Sequence, residues 1–517
     1  MPRPRPPLLR PALLAVLALT PLPTAAAGGP ALREIFALNE DNSHFFGSRP
    51  PEQMTLVGLH AWVDQYAGTT VTHLFLCPNA MRASFRSRTR DAIWDPVDGR
   101  VPDGLWPQNA RRLHLAGLDP YAVWIQRARD RGLSPWLSMR MNDVHSVDDP
   151  GSFMHSTFWR THPELRRVPG GPVQPWVNHA LNFAHAAVRA HQMDFIRELL
   201  ERYDPDGLEL DWMRFGHHLT PGREKAEGPL LTEFVREVRD LTREWGRRRG
   251  HPLHLGVRVP AHPDAATGLG LDAVTWAREG LVDLLVPCPF WSTTDFDIPV
   301  ELWRERLGAA AARVTLAPGI EHNARAWPTG KSVANDLGSA RGFAASARHR
   351  GADGLYLFNW MDSQTRPVGA DDYARLLKEG LSEATARHAL RRHPATYRDT
   401  VPPGFPNGAQ LPLEGSAGGS VRLHLGPGAT GPTHLVVGLG ERTGVASARF
   451  EAQLNGQPLS LPSPLEDLRG LAGTVRALIF PCPAATVRAG VNEVRLRQVD
   501  GGPSQQIVWV EIRAGAP

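Results

Sequence analysis

The stretch Asp204-Pro-Asp-Gly-Leu-Glu-Leu-Asp-Trp-Met-Arg-Phe215 decides how this chain is read. It follows a helical run ending in Glu201-Arg202-Tyr203 and is bounded by Pro205 and Gly207. A short apolar segment set off in this way reads as a buried parallel strand. Side chains two apart on a strand share a face, so Leu208 and Leu210 point one way, Glu209 and Asp211 the other. Two carboxylates on one side of a buried strand cost free energy unless they are paired or used. They form either a structural ion pair with an arginine or a catalytic site at the end of a barrel strand.

Working outward, short apolar runs alternate with amphipathic ones from about residue 32 to 395. The strand candidates are Glu34–Asn39, Val71–Cys77, Ser134–Met141, Gly207–Trp212, Leu253–Val259, Val282–Pro287, Arg313–Ile320 and Gly354–Asn359. Helical patterns separate them, at Met54–Tyr66, Tyr121–Arg131, Val188–Tyr203, Leu230–Arg249, Leu271–Glu279, Pro299–Leu307, Ser332–Arg350 and Asp371–Glu379. Eight strand–helix units predict an α/β fold, a (β/α)8 TIM barrel over residues 32–398. A doubly wound sheet would carry a glycine-rich loop after its first strand, and Asn39-Glu-Asp-Asn42 is not one.

Two connections, Pro78 to Pro120 and Asn142 to Ala187, are too long for simple turns. Both leave the C-terminal ends of strands, where barrels carry their sites, and long loops in compact domains are usually functional. They hold Trp94, Trp106, Trp159 and Trp176, rings suited either to stacking on sugars or to anchoring the loops. A Pro- and Gly-rich linker spans 399–408. Short β-rich runs follow over 409–517, with a hairpin turn at Asn455-Gly456, and predict a β-sandwich.

The N-terminus carries Arg3, Arg5 and Arg10, an apolar core from Leu13 to Leu22, and Ala25-Ala26-Ala27. This reads as a secretory signal peptide, 1–27, cut near Ala27, and hence as a protein exported to the periplasm or beyond. The cysteines Cys77, Cys288 and Cys482 make neither a disulfide framework nor a metal motif. The formal net charge is only +4, and lysine stands only at Lys225, Lys331 and Lys378. The arginine richness is compositional rather than a nucleic-acid footprint; Arg247-Arg248-Arg249 is a solvated helix end.

Alternation along the strands gives an inward list. The third offers Ser138, Arg140 and Asn142, the fourth Glu209 and Asp211, the fifth His254, Gly256 and Arg258. The seventh offers Ala317, Gly319 and Glu321, and Asn359, Trp360 and Asp362 stand at the end of the eighth. Asp211, at the strand's last turn, is the nucleophile candidate, kept ionised by Arg140 or Arg258. Glu209 lies roughly 6.5 Å deeper and orients an arginine. Glu321 is the proton-donor candidate, with Asp362 and Asp295 as reserves, each able instead to cap a helix. Arg140, Asn142, Glu209, Arg258, Trp291, Asn359, Trp360 and Asp362 form the expected substrate-binding set. A carboxylate nucleophile with a carboxylic acid donor is the toolkit for cleaving a glycosidic bond. No H-E-x-x-H and no G-x-S-x-G occurs, so no metal, no cofactor and no serine nucleophile is expected.

With Trp159-Arg-Thr-His-Pro-Glu-Leu165, Asn178-His-Ala-Leu-Asn182 and Tyr203-Asp-Pro-Asp-Gly-Leu-Glu-Leu-Asp211 in view, the chain resembles exported barrels of the "family 10 glycosylhydrolase" type. That family reads Asp-Gly-x-x-x-Asp-Asp-Tyr; here Asp206, Gly207 and Asp211 match, while Trp212 and Met213 replace the last two. The resemblance implies action on an oligo- or polysaccharide and carries over Asp211 alone as a catalytic residue. The run Gly490–Leu496 with Ile507–Ile512 resembles jelly-roll modules of the galactose-binding type. The competing expectations are a barrel that binds glycan without cutting it and a metal-dependent hydrolase or lyase.

Overall fold

The computed structural model describes Met1, Leu32 and residues 34–362, 369–428 and 431–515. Residues 2–27 of the expected signal peptide lie outside the described residues. Eight parallel strands form a barrel: β1 (Phe36–Glu40), β2 (His73–Leu76), β3 (Ser134–Arg140), β4 (Gly207–Asp211), β5 (His254–Pro260), β6 (Leu284–Cys288), β7 in two pieces (Thr315–Leu316 and Gly319–Glu321) and β8 (Leu355–Phe358). Neighbours pair in chain order, and β8 pairs with β1. The first piece of β7 pairs with β6 and the second with β8, so the ring closes through one interrupted strand. Pro318 falls in the gap, where its missing N–H is tolerated, and its carbonyl accepts from the Tyr356 N–H at 3.2 Å.

The barrel interior is layered. Trp136 fills the lower level, and Gly207 on the adjoining β4 and Gly256 on β5 beyond it make room: a Cβ at Gly207 would lie 2.4 Å from its ring. Above it, Ser138, Glu209 and Gly256 stand side by side, and above them Arg140, Asp211 and Arg258. The lower layer is apolar packing and the upper two are polar, which is where a barrel changes from core to site.

Most helices lie where periodicity places them. Glu224–Arg249 begins six residues earlier than its pattern suggests, because Pro229 sits inside the helix rather than at its start. The pattern over Ser332–Arg350 splits: Ser332–Ala334 pairs with Asn323–Arg325, and the helix proper is Leu337–His349, opened by an Asp336/Ser339 capping box. The loop after β2 contains a further helix, Leu105–Leu115. Trp94, Trp106 and Trp159 are buried and anchor the two long loops; Trp176 is 41% exposed.

The C-terminal part is a β-sandwich of a six-stranded and a four-stranded antiparallel sheet. Arg391–Pro394, ahead of the expected linker, already belongs to it, pairing with Gln506–Ala514. Its polar sequence gives no strand signal, and its pairing partner is more than a hundred residues away. Among the described residues no helix is long and apolar enough to cross a membrane.

Candidate functional site

Asp211 ends β4 with its side chain inward and is 2% exposed. Its Oδ2 accepts from Arg258 Nη1 at 2.7 Å, and its Oδ1 accepts the backbone N–H groups of Met213 and Arg214, each at 3.0 Å. Of the two arginines expected to serve it, Arg258 does so directly. Arg140 turns instead to Asp41 and, at 3.0 Å, to Asp143. The Arg258 guanidinium lies 3.5 Å from the Phe358 ring centroid, a cation–π contact that fixes its plane.

One layer down, Glu209 Oε1 accepts from Ser138 at 2.6 Å and from Tyr356 at 2.8 Å, while its Oε2 has no partner among the described residues. Burial raises its pKa, Arg258 opposes this and the Asp211 charge reinforces it, so Glu209 holds a proton at neutral pH. The two acids of the opening strand therefore differ in their surroundings: one has an arginine and backbone amides and the other only hydroxyls.

Glu321 ends β7, fully buried, bonded to His322 Nδ1 and reached by Asn359 Nδ2 at 3.2 and 3.0 Å. His322 and Asn359 line a cavity of about 320 Å³ at the C-terminal end of the barrel, together with His145, Arg214, Phe215, Phe290, Trp291 and Trp176. Trp291 is 40% exposed, as a wall residue should be. Six described non-glycine residues have left-handed φ, and three of them, Ser146, Phe215 and Asn359, line this cavity. A left-handed phenylalanine costs about 1–2 kcal/mol, strain that concentrates at functional sites.

Several cavity residues escape the strand pattern because they sit just beyond strand ends. Asp143 Oδ1 accepts from His145 Nδ1 at 2.8 Å, and Arg214 Nη2 lies 3.3 Å from His145 Nε2. His145 Nδ1 thus faces Asp143 and its Nε2 faces Arg214. Burial favours the neutral forms of Asp41 and Asp143; for Asp41 the nearby Arg140 and Arg214, and for Asp143 the nearby His145 and Arg140, outweigh it and hold both carboxyls ionised. The motif Asp143-x-His145 after a strand was the available signal.

Other expected residues lie elsewhere. Asn142 exchanges bonds with the Leu181 backbone, both at 2.9 Å, stitching its loop rather than lining the cavity. Trp360 is fully buried. Asp362 pairs with Arg49 and with His44, off to one side at the β1 end. Asp295 is buried 3.1 Å from Arg398, against the sandwich side. Neither reserve acid lines the cavity. Among the described residues no set of three or more His, Cys, Asp or Glu is placed to hold a metal ion.

No protein-family model matches this chain, and no curated protein does. Solved structures that resemble it include glycoside hydrolases. The glycoside hydrolase domain of PgaB (BpsB) from Bordetella bronchiseptica is 14% identical over 67% of this chain and 99% of that one, with a TM-score of 0.38. Alpha-L-fucosidase isoenzyme 1 from Paenibacillus thiaminolyticus is 13% identical, covering 90% and 97%, with a TM-score of 0.34. The GH36 alpha-galactosidase AgaB from Geobacillus stearothermophilus is 12% identical at a TM-score of 0.36; the match covers 91% of this chain but only 56% of that one. A cycloisomaltooligosaccharide glucanotransferase from Paenibacillus sp. is likewise spanned over only 57% of its length. Likeness at this level assigns no residue and no substrate.

Proposed function

We propose that this is an exported glycoside hydrolase acting on an oligo- or polysaccharide in the cavity at the C-terminal end of its barrel. The observation that carries the reading is a pair of acids set behind the lining of that cavity rather than in it. Two carboxyls from β4 and β7, Asp211 and Glu321, each bond directly to residues that line the cavity, Arg214 for one and His322 with Asn359 for the other. Asp211, held by Arg258 and two amides, is the carboxylate that stabilises or traps an oxocarbenium-like centre. Glu321 is the proton donor, positioned by His322 and Asn359. Trp176 and Trp291 supply faces for sugar rings.

A second reading is a glycan-binding barrel without cleavage. It is favoured by the same two carboxyls being nearly or fully buried and committed to protein partners. A glycan-panel hydrolysis screen, run beside calorimetric binding, separates the two. Hydrolysis by wild type, reduced roughly 10³-fold or more in both Asp211→Asn and Glu321→Gln, is expected. Binding without turnover in all three proteins would select the second reading. Full activity in both variants would refute the site assignment.

A further inference from the structure

A second cavity, of about 270 Å³, lies between the barrel and the sandwich, away from the strand ends. Arg348 and His349 reach it from the Leu337–His349 helix, Glu383 and Arg387 from the Glu383–His388 helix, and Arg391 from the first sandwich strand. Its apolar lining comes from Ala345, Leu381, Ala386 and Pro427.

Arg391 is the anomaly. It is 2% exposed, and its single hydrogen bond among the described residues runs from Nη1 to the Pro427 carbonyl at 2.8 Å. Its Nε has no partner, and no carboxylate of the described residues forms an ion pair with it. The strongly buried Arg140, Arg258 and Arg392 each face an acid, Asp41 with Asp143, Asp211 and Glu511 in turn. Arg82, which also lacks an ion pair among the described residues, donates instead to the backbone carbonyls of His155, Ala92 and Asp95. An arginine does not escape burial by losing its proton at ordinary pH, so an unpaired one requires an anion or a large solvation cost. The cavity's own acid does not supply it. Glu383 is engaged by Arg387 at 2.6 Å. Arg348 gives its Nε to the Leu381 carbonyl at 3.3 Å, with Glu34 and Glu383 as its charged neighbours. The balance around the cavity is positive.

We infer that this cavity is a binding site for an oxyanion-bearing ligand, a carboxylated or phosphorylated sugar, with its anionic group on Arg391 and Arg348. The volume is roughly nine times the share of one water in the liquid, room for a sugar body beside the anion. A guanidinium fork suits both carboxylate and phosphate. The site is separate from the cavity above β4 and β7, so it stands whether or not that cavity cleaves glycans.

The test measures thermal unfolding of the full chain with inorganic phosphate, D-glucuronate or glucose, at ionic strength matched with chloride. Wild type should gain stability with phosphate, glucuronate or both, and not with glucose; the arm that responds identifies the anion. Arg391→Met should lose that gain, and without anion it should unfold at or above the wild-type temperature, since an unpaired buried cation has gone. Arg348→Gln, on a half-buried residue, should weaken the apparent affinity at least tenfold and serves if Arg391→Met fails to fold. No response to either anion in wild type, or an undiminished response in both variants, would overturn the assignment.

Discussion

At the scale of single residues, the protonation of Glu209 makes a measurable claim. Burial lifts its folded pKa above the unfolded value of 4.5, so the folded chain holds a proton that the unfolded chain releases. Stability therefore falls as pH rises from about 4.5 through the folded pKa. Glu209→Gln, a neutral isostere, should be more stable than wild type at pH 8, on the order of 1 kcal/mol or more, with the difference vanishing near pH 4. Urea unfolding at several pH values checks this; a destabilised variant at pH 8 would mean that Glu209 is ionised. His44 behaves in the opposite sense. Burial pulls its pKa down, but Glu40 at 2.5 Å and Asp362 at 3.4 Å prevail and raise it to about 9. Its contribution is complete below the unfolded value of 6.5 and is lost as pH rises through about 9. His44→Gln should lower stability at pH 6 by up to about 3 kcal/mol and flatten the loss between pH 7 and 10.

At the scale of elements, the Leu337–His349 helix shows how contact overrides propensity. Alanine is a better helix former than glycine by about 1 kcal/mol, so Gly342→Ala looks stabilising on the helix alone. A Cβ at Gly342 would sit 2.0 Å from the Arg392 carbonyl oxygen of the adjoining sandwich strand, and backbone cannot step aside cheaply. The variant should instead lose 1–3 kcal/mol or more, read as a lower midpoint in urea. The same contact explains why Arg391–Pro394 is a strand despite its sequence: Arg392 is held by Glu511 at 2.9 Å and by Gly470 at 2.7 Å, and these partners are remote in the chain. The eight barrel strands, by contrast, were legible because burial on both faces leaves a local, continuous apolar signature. The break in β7 at Pro318 was not, since only its two different neighbours reveal it.

At the scale of the whole molecule, the segment that follows the first sandwich strand also holds a cavity wall. Asp399 accepts the N–H groups of Phe290, Trp291 and Ser292 at 2.9, 3.0 and 2.9 Å, and Phe290 and Trp291 line the cavity. Asp399→Ala should cost about 1–3 kcal/mol and weaken glycan binding while leaving the barrel folded, by calorimetry and circular dichroism. A variant with unchanged affinity would show that the wall stands without this tether. The sequence by itself determined the barrel, the sandwich, the inward parity of Glu209, Asp211, Arg258 and Glu321, and the place of Asp211 and Glu321 at strand ends. Those follow from periods of two and 3.6 residues, which are local. Only the tertiary structure decided that Arg258 rather than Arg140 serves Asp211, that Glu209 keeps its proton, and that Asn142 and Trp360 turn to structural work. It also brought His145, Arg214 and His322 to one cavity and left Arg391 buried without an acid among the described residues. Charge pairing and desolvation depend on distances of a few ångströms between residues far apart in the chain, and no local pattern encodes them.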